Sequence, residues 1–182
     1  MSHIRELQSL INNSIDKLEK ICESTGTSIP DLYTHFSPES EAFRSNLAAA
    51  EAANVISAAA LQLKAILTPP HISLYHVVAG HLGSAALRVC LESHVTEILR
   101  EAGPTGLHVN DIAAKNGQDP RKLVRFLRYL ANSHIYREIT PDVFANTRIS
   151  SMLDTLKPSQ DIIAHPETKH DNTPGMAALA GH

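Results

Sequence analysis

The sequence predicts a mainly α-helical protein: a long helical segment followed by a winged-helix-like module with one small β-hairpin. Three observations carry this. Apolar residues make up 43% of the 182 positions, yet aromatics are only 4% and Trp is missing. Alanine and leucine therefore dominate, which favours helices over sheets. Long runs place apolar residues three and four apart, the helical period. Residues 107–146 then follow the order helix, turn, helix, hairpin.

The first helix is predicted over 4–23, where Ile4, Leu7, Leu10, Ile11, Ile15, Leu18 and Ile21 form one stripe. Gly26 is placed to cap its C-terminus. A polar connector over 28–38 holds two prolines. Ser37 or Ser40 then caps an alanine-rich second helix over about 40–67, with Ile56, Ala60, Leu63 and Leu67 as its apolar stripe. Pro69 and Pro70 stop it. Two long striped helices find a partner either in another copy of the chain or in an intramolecular bundle. On the first reading, Leu63→Asp weakens a dimer.

Residues 72–102 are helical in two pieces, with a break expected near Gly80 and Gly83. After a turn at 103–106, Asn110 caps a short helix to about Asn116. Asp119 caps the next, with Pro120 in its first position and Leu123, Val124, Leu127 and Leu130 turned inward. The hairpin is predicted from 135–139, the turn 140–142 and 143–146. The tail, 154–182, is proline-containing and weakly patterned, with a short apolar stretch at 176–180. The expected organisation is a helical region over 1–102, a winged-helix-like module over 103–153, and a tail or linker over 154–182.

Composition excludes some functions. A net charge of −3 excludes a uniformly basic nucleic-acid coat. Cys22 and Cys90 lie far apart inside helical patterns, so no disulfide framework follows and a reducing, cytoplasmic setting is expected. The start of the chain is charged at once, unlike a signal peptide. The apolar stretch 47–67 contains Glu51, Asn54, Gln62 and Lys64, and is read as no membrane span.

Candidate chemistry is sparse. His71, His76 and His81 are five apart, which puts neighbours on different helix faces, so no metal site is read from them. The stretch 79–84 has two glycines but follows a helical pattern, so it is a kink or a close packing point and not a phosphate cradle. No nucleophile, base and orienter can be connected, and no catalytic, cofactor or metal residue is assigned. The sharpest local signal is Arg121, Lys122, Arg125 and Arg128, at i, i+1, i+4 and i+7 on one helix side. Residues 103–153 carry a local charge of +3, and residues 1–102 carry −4. That face suits either a DNA groove or an acidic protein surface.

The runs 86–99 (ALRVCLESHVTEIL), 109–114 (VNDIAA), 119–130 (DPRKLVRFLRYL) and 144–150 (FANTRIS) together resemble a known module. It is the N-terminal dimerisation domain of S-adenosylmethionine-dependent O-methyltransferases of the plant and fungal small-molecule type, closest in style to fungal secondary-metabolism members. The resemblance spans about 40–182 and is strongest over 85–153. It implies an intertwined dimer, with the helical region 1–102 as the dimerisation region. It also implies a separate Rossmann-like domain that binds the methyl donor through a glycine-rich loop and supplies a histidine base. No such loop or base is found here, so no catalytic or cofactor-binding residue is carried over. The resemblance implies a truncated or stand-alone dimerisation module, inactive alone. Two alternatives remain at this point: a winged-helix DNA-binding regulator, and an interaction subunit that heterodimerises with a full-length methyltransferase.

Overall fold

A computed structural model describes residues 2–174 and 176–177. The chain is mainly α with a small antiparallel sheet. Its contacts gather it into two units: residues 1–30 with 37–79, and residues 31–36 with 80–182. Residues 80–102 thus pack with the module that follows them.

In the first unit, α1 (His3–Thr25) ends at Gly26, which adopts the left-handed conformation and donates its N–H back to the helix. A 3-10 helix, Pro38–Ser45, follows, opened by a capping box between Ser37 and Ser40. It ends at Asn46, whose side chain caps α2 (Leu47–Leu67) by accepting from the N–H groups of Ala48 and Ala49. The helix predicted as one piece over 40–67 is therefore a tight turn and then an α-helix, split by an Asn whose short polar side chain competes for the backbone. Leu18, Cys22, Phe43, Ala49, Ala52 and Ala53 form the core between α1 and α2. Alanine lets the two helices approach closely. The buried stripe of α2 is Ala49, Ala52, Ala53 and Ala59, with Ile56 half-buried, whereas Ala60 and Leu67 of the expected stripe are exposed. Leu63 is half-buried on the α1-facing side of α2, so Leu63→Asp would strike intrachain packing and not an outer face. By length and composition α2 is long and apolar enough to cross a bilayer. Here its alanine face is used against α1, and its Glu51 pairs with Lys17 at 3.7 Å. Pro70 opens the short α3 (Pro70–Val78).

The second unit begins with α4 (Gly80–Glu92) and α5 (Val95–Ala102). The breaks fall at Ala79 and at Ser93–His94, where His94 takes a left-handed φ of 57°. The expected break at Gly83 does not occur. Gly83 lies inside α4, and a Cβ there would meet the Tyr129 ring at 3.8 Å, an ordinary contact distance, so the space at this position would admit a side-chain methyl. Strand β1 (Leu107–His108) leads into α6 (Val109–Asn116), which is capped by His108 Nδ1 and not by Asn110. Asp119 caps α7 (Pro120–Ala131), with Pro120 at its first position as read. β2 (Tyr136–Thr140) and β3 (Val143–Asn146) form the hairpin. β1 adds a third strand, giving the order β1-β3-β2 with Leu107 opposite Phe144. A two-residue strand has no alternation to betray it in the sequence.

The core of this unit joins Cys90, Val95, Ile98, Leu99, Ile112, Leu123, Leu127, Leu130, Tyr136 and Phe144. The tail is more ordered than its weak patterning suggests: a 3-10 turn (Ser150–Leu153), α8 (Ser159–Ala164) and a further turn at Pro166–Thr168. Of the apolar stretch 176–180, residues 178–180 lie outside the described residues.

Gly106 is the most crowded of the described glycines. Its φ is +74°, and a Cβ there would sit 2.5 Å from the Phe144 carbonyl oxygen. Gly117 has a similar φ, +72°, but open space around it. Gly106→Ala is expected to lower stability by about 3 kcal/mol or more, against ~1 kcal/mol for Gly117→Ala. Urea unfolding of both variants beside the wild type checks the difference.

Candidate functional site

Two features outside the apolar cores could carry function: a set of buried charged groups in the second unit, and exposed helical faces in each unit.

The buried charges centre on α5. Its apolar side, Val95, Ile98 and Leu99, faces the core. Its other side carries Thr96, Glu97, Arg100 and Glu101, at spacings that keep them together. Thr96 Oγ1 and the buried Tyr136 hydroxyl share a hydrogen bond of 2.9 Å. Glu97 Oε1 accepts from the N–H and hydroxyl of Thr155, the latter at 2.8 Å. Arg100 donates to the Lys157 carbonyl at 2.6 Å and lies 3.4 Å from Asp154. Glu101 accepts from the Ser159 N–H and hydroxyl, both at 2.6 Å. Lys169 is buried and donates to the Leu91 carbonyl.

Burial sets the charge states. Asp154 is pushed above the usual aspartate range, because desolvation outweighs the attraction of Arg100 and His35. Lys169 is held below the ordinary lysine value by desolvation, in spite of nearby Glu97 and Glu92. His94 is lowered by burial and then by Lys169. Burial pushes the Cys90 thiol up to about 12, which makes it an unreactive core residue. These groups hold segments together. They do not converge on an open cavity as a catalytic set would. The sequence held one trace of them, polar residues on α5 at helical spacing, but their partners lie 40 to 58 residues away.

Residues 31–36 are strapped onto the second unit. Arg148 N–H donates to the Leu32 carbonyl, and Phe36 N–H donates to Ser151 Oγ. Arg137 lies 4.2 Å from the Tyr33 ring centre and Arg148 lies 5.1 Å from that of Phe36. Beside the strap is an open cleft of about 480 Å³ lined by Tyr33, Thr34, His35, Leu99, Arg100, Gly103, Pro104, Asn146 and Thr147.

The basic face of α7 is present but reduced. Arg121, Lys122, Arg125 and Arg128 are all exposed. Arg128, however, is clamped by Glu138 at 2.7 Å and Asp142 at 2.9 Å, both on the hairpin. That pairing raises Arg128 and lowers Glu138 from their ordinary values. Arg121, Lys122 and Arg125 remain as the outward cations. Two hairpin acids beside them weaken the case for a phosphate backbone as the ligand. His71 and His76 are exposed on α3, and no group of three or more His, Cys, Asp or Glu among the described residues could hold a metal ion.

In the first unit the exposed feature is apolar. No side chain of α3 is buried. Leu74 is 65% exposed, Tyr75 61% and Val77 78%. Leu61, Ile66 and Leu67 on the last turns of α2 are exposed as well. An exposed apolar run of this size is the kind of surface that marks an interaction site. The sequence marked a helix after two prolines with large apolar residues on it, but not that these are exposed.

Asp154→Asn tests the buried charges. Asp154 binds its proton more tightly folded than unfolded, so its contribution favours the fold at low pH and is lost as pH rises through the carboxylate range. The amide keeps an oxygen to accept the Leu156 N–H. The variant is expected to lose this fall, so its stability relative to wild type rises between about pH 4 and pH 7. Paired urea melts across that range measure it.

Comparison with known proteins agrees with the module seen here. Residues 75–155 match the O-methyltransferase dimerisation domain. The chain is 54% identical over 181 residues to 4-O-methyltransferase 1 of Phanerochaete chrysosporium, covering 100% of this chain and 38% of that protein. It is 44% identical to an O-methyltransferase of Armillaria gallica, covering 94% of this chain and 36% of that protein. It is 30% identical to 3-O-methyltransferase 2 of P. chrysosporium, over 86% and 35% respectively. The chain thus spans little more than a third of the length of these relatives. Taken with the helix, helix and hairpin order over the same residues, the match assigns an O-methyltransferase dimerisation domain to residues 75–155.

Proposed function

We propose that this chain is the self-associating part of a small-molecule O-methyltransferase, that it forms a homodimer, and that it transfers no methyl group by itself. The single observation that carries the dimer is α3: nine residues, none of them buried, with Leu74, Tyr75 and Val77 each mostly exposed. An isolated helix that short is marginal in water. Covering each Leu, Val or Tyr there is worth about 1.5–3 kcal/mol, enough to hold the helix and a partner together. A second copy presents the same face, which suits a symmetric interface.

The reading of no activity alone rests on what the residues offer S-adenosylmethionine, and they do not fit it. Gly103 and Pro104 in the cleft follow a helix, and no glycine-rich loop follows a strand there. The cleft's charged side chain is Arg100, with His35 beside it. A sulfonium cation calls for the opposite charge. Support also comes from the relatives, since this chain matches just over a third of each. In this reading these residues supply neither the donor site nor the base nor the substrate's identity, and the protein works within the cytoplasm and in secondary metabolism. A longer methyltransferase with the same module would be the partner if the chain heterodimerises.

Sedimentation velocity at tens of micromolar is expected to show a dimer. Val77→Asp puts a charge where apolar cover is needed. It should weaken association by about 2 kcal/mol or more, roughly thirty-fold. A wild type that is monomeric throughout would remove this reading. Incubation with S-adenosylmethionine and a phenolic acceptor is expected to give no product, and turnover would overturn the claim of inactivity.

A further inference from the structure

We propose that the basic outer face of α7 docks on the acidic outer face of α1 from a second copy, which rests on the self-association reading above and sets the orientation of the two chains. Asp16, Glu19 and Glu23 are exposed on α1. At 100° per residue they fall within about 60° of one another, on the side turned away from α2. None of the three has an ion-pair partner among the described residues, and neighbouring Lys17 is drawn to Glu51 at 3.7 Å. Lys20 stands at the edge of this stripe. On α7, Arg121 is 91% exposed with Asp119 Oδ1 3.8 Å away, and Lys122 and Arg125 have no ion-pair partner among the described residues.

Each stripe is placed against its own helix. Glu19 and Glu23 lie toward the C-terminal, negative end of α1, whose last turn holds no base. Arg121 and Lys122 lie at the N-terminal, positive end of α7, whose first turn holds no acid. A partner of opposite sign relieves both. The steps match too: Glu19 to Glu23 and Arg121 to Arg125 are each four residues, about 6 Å along the axis. Laid antiparallel, the helices bring Glu23 to Arg121 and Glu19 to Arg125, with their dipoles opposed. A two-fold symmetric dimer contains this contact twice. Nucleic acid is the weaker occupant, because Glu138 and Asp142 hold Arg128 and stand beside the same face.

The test uses two charge-reversed forms of the full chain, Arg121→Glu/Arg125→Glu and Glu19→Lys/Glu23→Lys, with circular dichroism to show that each is folded. Sedimentation velocity at about 50 mM salt should show each weakened by about tenfold or more against wild type, and wild type itself weakened at about 500 mM salt. An equimolar mixture should recover the dimer. The mixed pair has one original contact and one reversed contact, both attractive, whereas each variant alone has two repulsive ones. A wild-type dimer unmoved by either variant overturns the proposal and leaves self-association intact. Variants that weaken without recovery on mixing also overturn it, since a contact within one chain behaves so. Loss of a duplex-DNA gel shift in the arginine variant, with the dimer unchanged, assigns the face to nucleic acid instead. A monomeric wild type at both salts removes the self-association reading itself.

Discussion

Helix α5 has eight residues and buries five of them, one of which is a glutamate. Its apolar side fills the middle of the second unit. Its polar side bonds, in order, to Tyr136, Thr155, Lys157 and Ser159. Burying Glu97 is costly unless its oxygens are met. Two donations from Thr155 meet one of them. The tail past the hairpin therefore cannot drift from α5 without leaving the buried Glu97 carboxyl short of both donations. That constraint fixes residues 154–159 against the module and makes the hairpin, α5 and the tail one body.

The first unit is built on the opposite principle. It holds α1 to α2 through alanine, which permits close contact but buries little area for each residue. Its core is small, and its next helix, α3, buries nothing. Domains of this size usually need more core than this. The shortage and the exposed leucines and valines are one fact: the apolar surface that would complete the unit faces outward. An O-methyltransferase dimerisation domain that begins at residue 75, inside α3, is consistent with that helix joining the structural module to a neighbour.

Much of the fold was legible where a residue's role is local. Gly26, Asp119 and Pro120 act on groups within a few residues, and each stands where the sequence placed it. The hairpin was also legible, since 135–146 alternates around a turn. Failures came where several nearby polar side chains compete to cap one helix, and where a side chain answers to a distant one. Asn46 outcompeted Ser37 and Ser40 for α2 because helix starts are decided by which oxygen reaches the N–H groups. His108 displaced Asn110 for the same reason. Gly83 looked like a breaker, but α4 runs through it, because helical neighbours on both sides carry a single glycine. The alanine stripe was misphased because alanines on several faces leave the period ambiguous, and only α1 decides which are covered. The basic helix was seen correctly as four residues, but that Arg128 belongs to the hairpin depends on Glu138 and Asp142, ten and fourteen residues on.

The division of labour between apolar and charged surfaces follows from magnitudes. Exposed ion pairs contribute roughly 0–1 kcal/mol each, so charges on α1 and α7 cannot by themselves hold two chains together. Apolar cover on α3 can, but it is non-directional, and a leucine face accepts a partner at many angles. Like-charge contact is costly, so a patterned set of charges excludes wrong orientations even where it adds little affinity. A chain with an outward apolar helix needs such a filter, because unfiltered apolar association leads to open aggregates instead of closed pairs. The segregation of charge, negative over residues 1–102 and positive over 103–153, supplies that filter in one polypeptide of near-neutral total charge.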